Sequence, residues 1–141
     1  MINPMDVRLI WDDIRPGVEE IHRNLPWKDW RPEDVYASCL ALETVVFVPE
    51  GSKPSDQFVV ARITKCPRTS EKTMFFWLAF NSTGDADLAA KMHEGLEEAA
   101  IKSGCSAVEF ITAHDKIVDH GKRFGYDKVM HHVRKDLPQL G

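Results

Sequence analysis

No two of the three cysteines, Cys39, Cys66 and Cys105, stand in a CxxC pair, so they build neither a zinc ribbon nor a dithiol redox motif. Buried reduced thiols are the expectation. The longest apolar run, Met74 to Phe80, falls far short of the ~20 residues that span a bilayer. The opening "MINPMDVRLIWDD" lacks the basic and apolar regions of a secretory leader. A cytoplasmic or particle-associated protein with no membrane partner is expected. Positive charge is not in excess either. The formal net charge is -4 with His neutral, which supplies no overall field to attract nucleic acid. Only "KRFGYDKVMHHVRKD" concentrates Lys, Arg and His, which keeps nucleic-acid binding as a minor reading. Repeats, low-complexity tracts and clear linkers are missing, so the 141 residues read as one domain, 1–141, of ordinary size.

Along the chain, Val7 to Trp11 reads as a short strand, with Asp13 and Pro16 as start signals of a helix. Ile14, Val18, Ile21 and Leu25 share one face of that helix by their spacing of four, three and four. A second helix begins near Pro32, with Glu33 and Asp34 at its positive end and Val35, Cys39 and Leu42 as its apolar face. The β-rich runs "ETVVFV", "QFVVARITK" and "KTMFFWLAF" are separated by turn-forming segments and read as an antiparallel meander. Phe76, Leu78 and Phe80 should alternate with Phe75, Trp77 and Ala79 along the third run, giving a strand apolar on both faces.

The organisation then changes. A helix over about Ala86 to Ser103 buries Leu88, Met92, Leu96 and Ala100, pairs Glu98 with Lys102 on its polar side, and stops at Gly104. "AVEFIT" reads as a strand, followed by a helix from about Asp115 to Phe124, Gly125 as its stop, and a last strand within Tyr126 to Lys135.

This order of elements, together with "GLEEAAIKSGCSAVEFIT" and "KRFGYDKV", resembles the GNAT superfamily of acetyl-CoA-dependent N-acetyltransferases over residues 43 to 137. The resemblance implies an α/β (α+β) fold: a mixed, largely antiparallel sheet of about six or seven strands with helices on both faces. The N-terminal "WDDIRPGVEEIHRNL" and "WRPEDVYASCLALE" also resemble small GNAT-like proteins of phage and prophage genomes.

The family resemblance implies acetyl-CoA as cofactor, its pyrophosphate cradled by an R/Q-x-x-G-x-G/A loop after the fourth strand. Counting back from Gly104 puts the glycine positions of that loop near Asp85, Asp87 and Ala89. Carboxylates suit a helix N-terminus and oppose a phosphate. Phe80, Asn81, Ser82, Thr83 and Gly84 are the candidate cofactor-binding residues through their backbone. The family's acidic Tyr falls at Gly121, beside His120, and its cofactor-contacting Asn falls at His114. Glu109, His114 and His120 are therefore the candidate catalytic residues, with Glu43 a further strand carboxylate.

No metal site is expected. "HEGLE" has Glu97 where the zinc-protease helix places its second His, and His114, His120, His131 and His132 show no i,i+4 pair. The aromatic residues Trp27, Trp30, Phe75, Phe76, Trp77 and Phe80 read as core, with Trp27 and Trp30 marking a partner contact. Of two principal readings, the first leads and the second is its alternative. One is a phage-type GNAT-like protein whose acetyl-CoA loop is degenerate, acting by binding or assembly with an unknown protein partner or by self-association, in the host cytoplasm or the virion. The other is an active acetyl-CoA-dependent N-acetyltransferase, and a third, minor reading is a nucleic-acid or host-protein binder.

Overall fold

Helix α1 runs from Val7 to Asn24 and begins where Asp6 Oδ1 accepts the backbone N–H of Arg8 at 3.0 Å. Val7, Ile10, Ile14 and Val18 are all buried, which continues the helical spacing back to the cap. The strand expected at Val7 to Trp11 is therefore the first part of this helix, and strand β1 precedes it at Ile2–Met5. Pro16 lies inside α1 on an exposed side, where water can solvate the carbonyl it leaves without a partner.

The computed structural model describes residues 2–25, 29–83, 86–110, 119, 121–127 and 135–138. These fall into two units, Met1–Ile111 and Thr112–Gly141. In the first, α2 (Pro32–Leu40) opens with Pro at its first turn, and the Arg31 N–H donates to Asp34 Oδ2 at 2.8 Å. Val35 and Cys39 are buried as expected. Leu42 is not: it follows the helix at φ 60 and is 88% exposed. The Leu42 N–H reaches Cys39 O, and the Glu43 N–H reaches Ser38 O. The chain needs this left-handed turn to close the helix, and the turn swings Leu42 off the apolar face.

Strands β2 (Val45–Pro49), β3 (Gln57–Lys65) and β4 (Lys72–Asn81) form the expected meander. Helix α3 (Ala86–Lys102) then crosses to β5 (Ala107–Phe110), which pairs parallel to β4. Sheet order is β1-β2-β3-β4-β5, with β1 an edge strand that carries Pro4, a residue tolerated where a backbone donor is dispensable. Five strands are described, fewer than the six or seven expected. The last expected strand falls mainly on residues outside those described. Gly104 ends α3 at φ 80, as its position suggested.

Helices α1 and α2 pack with Val46, Val48, Phe58, Val60 and Leu78. Helix α3 packs with Val59, Ala61 and Met74 through Met92, Leu96 and Ala100. The adjacent residues Val59 and Val60 thus serve opposite faces, and both are at most 1% exposed. The pair expected between Glu98 and Lys102 does not form; both side chains line a space of about 260 Å³ beside Pro4 and Phe47. An exposed pair of this kind is worth only ~0.3–0.5 kcal/mol, too little to hold two long side chains.

Register changes between Val60 and Ala61, which pair with Leu78 and Phe76 and leave Trp77 as an extra residue in β4. This bulge breaks the expected alternation. Phe76 packs with the α3 cluster, whereas Trp77, Leu78 and Phe80 all pack with the α1–α2 cluster. In the second unit, the N–H groups of Phe124 and Tyr126 return to Gly121 O, and Gly125 takes φ 87. That is the helix stop expected there.

Candidate functional site

Pairing between β4 and β5 covers Thr73–Phe76 against Ala107–Phe110. From Trp77 to Asn81 β4 remains paired with β3; residues 111–118, which follow Phe110, lie outside the described residues. The bulge sits at the start of this stretch, and a bulged residue leaves ladder groups unpaired. At its end Asn81 Oδ1 accepts the Thr83 N–H at 3.0 Å and the Thr83 hydroxyl at 2.6 Å. The Ser82 N–H and hydroxyl both donate to Asp56 O, at 2.9 and 3.3 Å. The turn is thus tied to itself and to the β2–β3 connection just before α3 begins. A 17-residue helix starting there gives the turn a partial positive charge.

Of the expected cofactor-binding residues, Asn81, Ser82 and Thr83 form this turn, with Ser82 and Thr83 exposed. Phe80 directs its ring inward, stacked on Phe58 at 5.3 Å, so only its backbone is left to serve a ligand. Gly84 and Asp85 lie outside the described residues. Gln57, opposite Asn81 on β3, is 0% exposed. The Ser52 hydroxyl donates to its Oε1 at 2.8 Å, while its Nε2 has no partner among the described residues. Sequence reasoning passed over this residue, because a polar residue at a strand start normally faces water.

Glu109 is exposed and stands beside Phe75 across β4 and β5. On the other side of Phe75, the Arg62 guanidinium lies 5.8 Å from the ring centroid. Glu109 therefore belongs to a row Arg62–Phe75–Glu109, two residues along β4 from Trp77. Glu43 accepts from the Ser38 hydroxyl at 3.5 Å and precedes β2, at the opposite end of the sheet from Asn81. His114 and His120 lie outside the described residues, as does Trp27. His93 Nε2 and Glu97 Oε1 are 3.0 Å apart on α3. Among the described residues no three His, Cys, Asp or Glu side chains converge.

Three rings meet at the bulge. His22 and Trp30 have centroids 5.0 Å apart, and Trp30 and Trp77 5.6 Å, both edge-to-face at 71°. His22 Nε2 lies 2.9 Å from Trp30 O. Because a carbonyl only accepts, that nitrogen carries the proton. Trp30 and Trp77 were legible as aromatic residues; His22 joined them only through the fold.

No protein-family model matches the chain, nor does any curated protein. Solved structures do. A putative acetyl transferase from Pyrococcus furiosus superposes with TM-score 0.74 at 16% identity, covering 97% of this chain and 100% of its own. The chain has the GNAT acetyltransferase fold. An aminoglycoside acetyltransferase from an uncultured soil metagenomic sample, in complex with sisomicin, has TM-score 0.71 at 9% identity and covers 98% and 96% of the two chains. Glucosamine-6-phosphate N-acetyltransferase from Arabidopsis thaliana has TM-score 0.67 at 13% identity, covering 96% and 97%.

Proposed function

We propose that the chain binds acetyl-CoA along β4 and carries out N-acetylation of an amine. One observation carries this reading: β4 gains the extra residue Trp77 and then runs, paired with β3, into a self-bonded turn just before α3. Acetyl-CoA supplies an acyl thioester, whose C–S bond breaks as the amine nitrogen bonds to the acyl carbon, CoA leaving as the thiol and the ammonium proton passing to a base. Glu109 is the described carboxylate beside this strand, and it is suited to take that proton. Asn81 orders the turn, and the backbone of Ser82 and Thr83 faces the anionic end.

Titration calorimetry with acetyl-CoA tests the reading. Micromolar binding, with Glu109→Gln binding equally but turning over about a hundredfold more slowly, is expected. Absence of binding at millimolar ligand sinks it.

A second reading is favoured by Asp85 and Asp87, carboxylates on the glycine positions of the family's phosphate loop. Like charges close to a pyrophosphate cost free energy. On that reading the acetyl-CoA site is degenerate, and the protein works in the cytoplasm or a virion by binding a protein partner or itself. Affinity that appears only in the Asp85→Gly, Asp87→Gly variant would establish it. Steeply salt-dependent DNA binding would instead favour the nucleic-acid reading.

A further inference from the structure

We infer that the groove between α3 and the β1–β2 edge docks a second copy of this chain, the two α3 helices running antiparallel so that Glu98 of each copy faces Lys102 of the other. This inference stands apart from the acetyl-transfer reading, which concerns β4 and the turn after it.

Helix α3 packs on the sheet through Met92, Leu96 and Ala100. On the flank toward β1 that packing stops short. An open space of about 260 Å³ remains between Gly95 and Ala99 on the helix and Pro4 and Phe47 on the strands. Pro4 and Phe47 are partners across the β1–β2 ladder, so together they make one apolar wall. The helix side is low because Gly95 and Ala99 are small, and the distance between packed helices is set by the side chains at their contact. A second helix can therefore come close.

Charge selects which helix. Glu98 and Lys102 line the same groove and are both exposed. They stand in the order that favours a pair within one helix, yet they stay apart, and neither joins an ion pair among the described residues. One turn separates them, about 6 Å along the axis. A twofold axis crossing α3 midway between them reverses the second helix and sets each charge against its opposite. Both intermolecular pairs then form at once, as an isologous contact requires. At a formal -4 the chains repel one another in general, so a local match of this kind decides which faces meet.

Other occupants suit the groove less well. An extended peptide would add to the β1 edge, but β1 has four residues and one of them is Pro4, which offers no backbone donor. A strongly acidic or strongly basic partner gains nothing from a groove that carries one charge of each sign. The complementary order, Lys opposite Glu98 and Glu opposite Lys102, is α3 itself read backwards.

Sedimentation velocity on the full chain tests this, with the single variants Glu98→Lys and Lys102→Glu and the double variant. The wild-type chain is expected to form a dimer at tens of micromolar that weakens as salt rises. By symmetry each single reversal sets like charges against each other twice, and it should loosen the dimer about tenfold or more. The double reversal restores opposite charges and should return the affinity to within about threefold of wild type. An equal mixture of the two single variants should likewise form a mixed dimer. Both side chains are exposed, so the unfolding midpoint should stay near wild type, which separates a lost contact from a lost fold. A wild-type chain that stays monomeric at hundreds of micromolar overturns the inference. So does a dimer indifferent to the single reversals, or one that the double reversal fails to restore. Acetyl-CoA binding should be equal in all four proteins, so the dimer and the transfer reading stand or fall separately.

Discussion

Gly17 on α1 lies so close to Phe58 on β3 that a Cβ at position 17 would sit 2.7 Å from Phe58 Cε1 and 2.9 Å from Phe80 Cδ1. Phe58 is fully buried and stacked on Phe80, so neither ring can yield without disturbing the other. Ala is the better helix former by ~1 kcal/mol, while forcing a methyl into a packed core costs ~1–3 kcal/mol. Gly17→Ala is expected to lose up to about 2 kcal/mol in urea unfolding. A gain in stability would show that α1 can lift off the sheet freely.

Leu42 presents the opposite case. Its φ of 60 is unfavourable for a side-chain-bearing residue, and at 88% exposure it recovers nothing by burial. Leu42→Gly should raise stability by about 1 kcal/mol, read as a higher denaturant midpoint at unchanged slope. A loss would mean that the leucine has a contact unaccounted for.

The cysteines should separate by reactivity. The Thr69 hydroxyl and nearby backbone N–H groups lower the Cys66 thiol pKa, and Cys66 is exposed. Burial raises that of Cys39, whose Sγ lies 3.1 Å from the Thr44 hydroxyl. Since the thiolate is the nucleophile, iodoacetamide with peptide mapping should label Cys66 first and Cys39 only on unfolding. Thr69→Val should move the Cys66 rate profile to higher pH.

Acid should weaken the start of α1. The Arg8 side chain, bonded to Asp6, holds the Asp6 carboxyl below the ordinary carboxylate range. A depressed folded pKa means a contribution present in full above the unfolded pKa and lost as pH falls through the folded one. Asp6→Asn keeps a capping oxygen and removes the charge. Melting temperature against pH should therefore fall less steeply below the carboxylate range in the variant, and parallel curves would contradict this.

On the proposed function, Asn81→Ala should weaken acetyl-CoA binding about tenfold, because the Thr83 N–H and hydroxyl lose the acceptor that orders the turn. The unfolding midpoint should barely move, since Ser82 remains tied to Asp56. Unaltered affinity with a normal fold would place the anionic end elsewhere.

Local rules made much of the fold legible. Pro32 with Asp34 marked the start of α2, Gly104 the end of α3, and three β-rich runs the meander, because each signal acts through its own few residues. The first helix was misplaced for the same reason: Asp13 and Pro16 look like a start signal, but the apolar spacing from Val7 had already begun with Asp6 as its cap.

The sequence alone determined the order of the elements from the meander to β5, and with it the resemblance to a GNAT fold. Periodicity and turn chemistry are properties of short windows. Tertiary structure decided which of those residues meet. No glycine or proline in "FFWLAF" announces the bulge, where the register of β3 and β4 shifts by one residue between Ala61 and Val60. That single extra residue turned Leu78 and Phe80 toward the α1–α2 layer and sent the Phe80 ring into the core, on the face where Trp77 meets Trp30. Such a displacement depends on packing between elements distant in sequence, where no local pattern can record it.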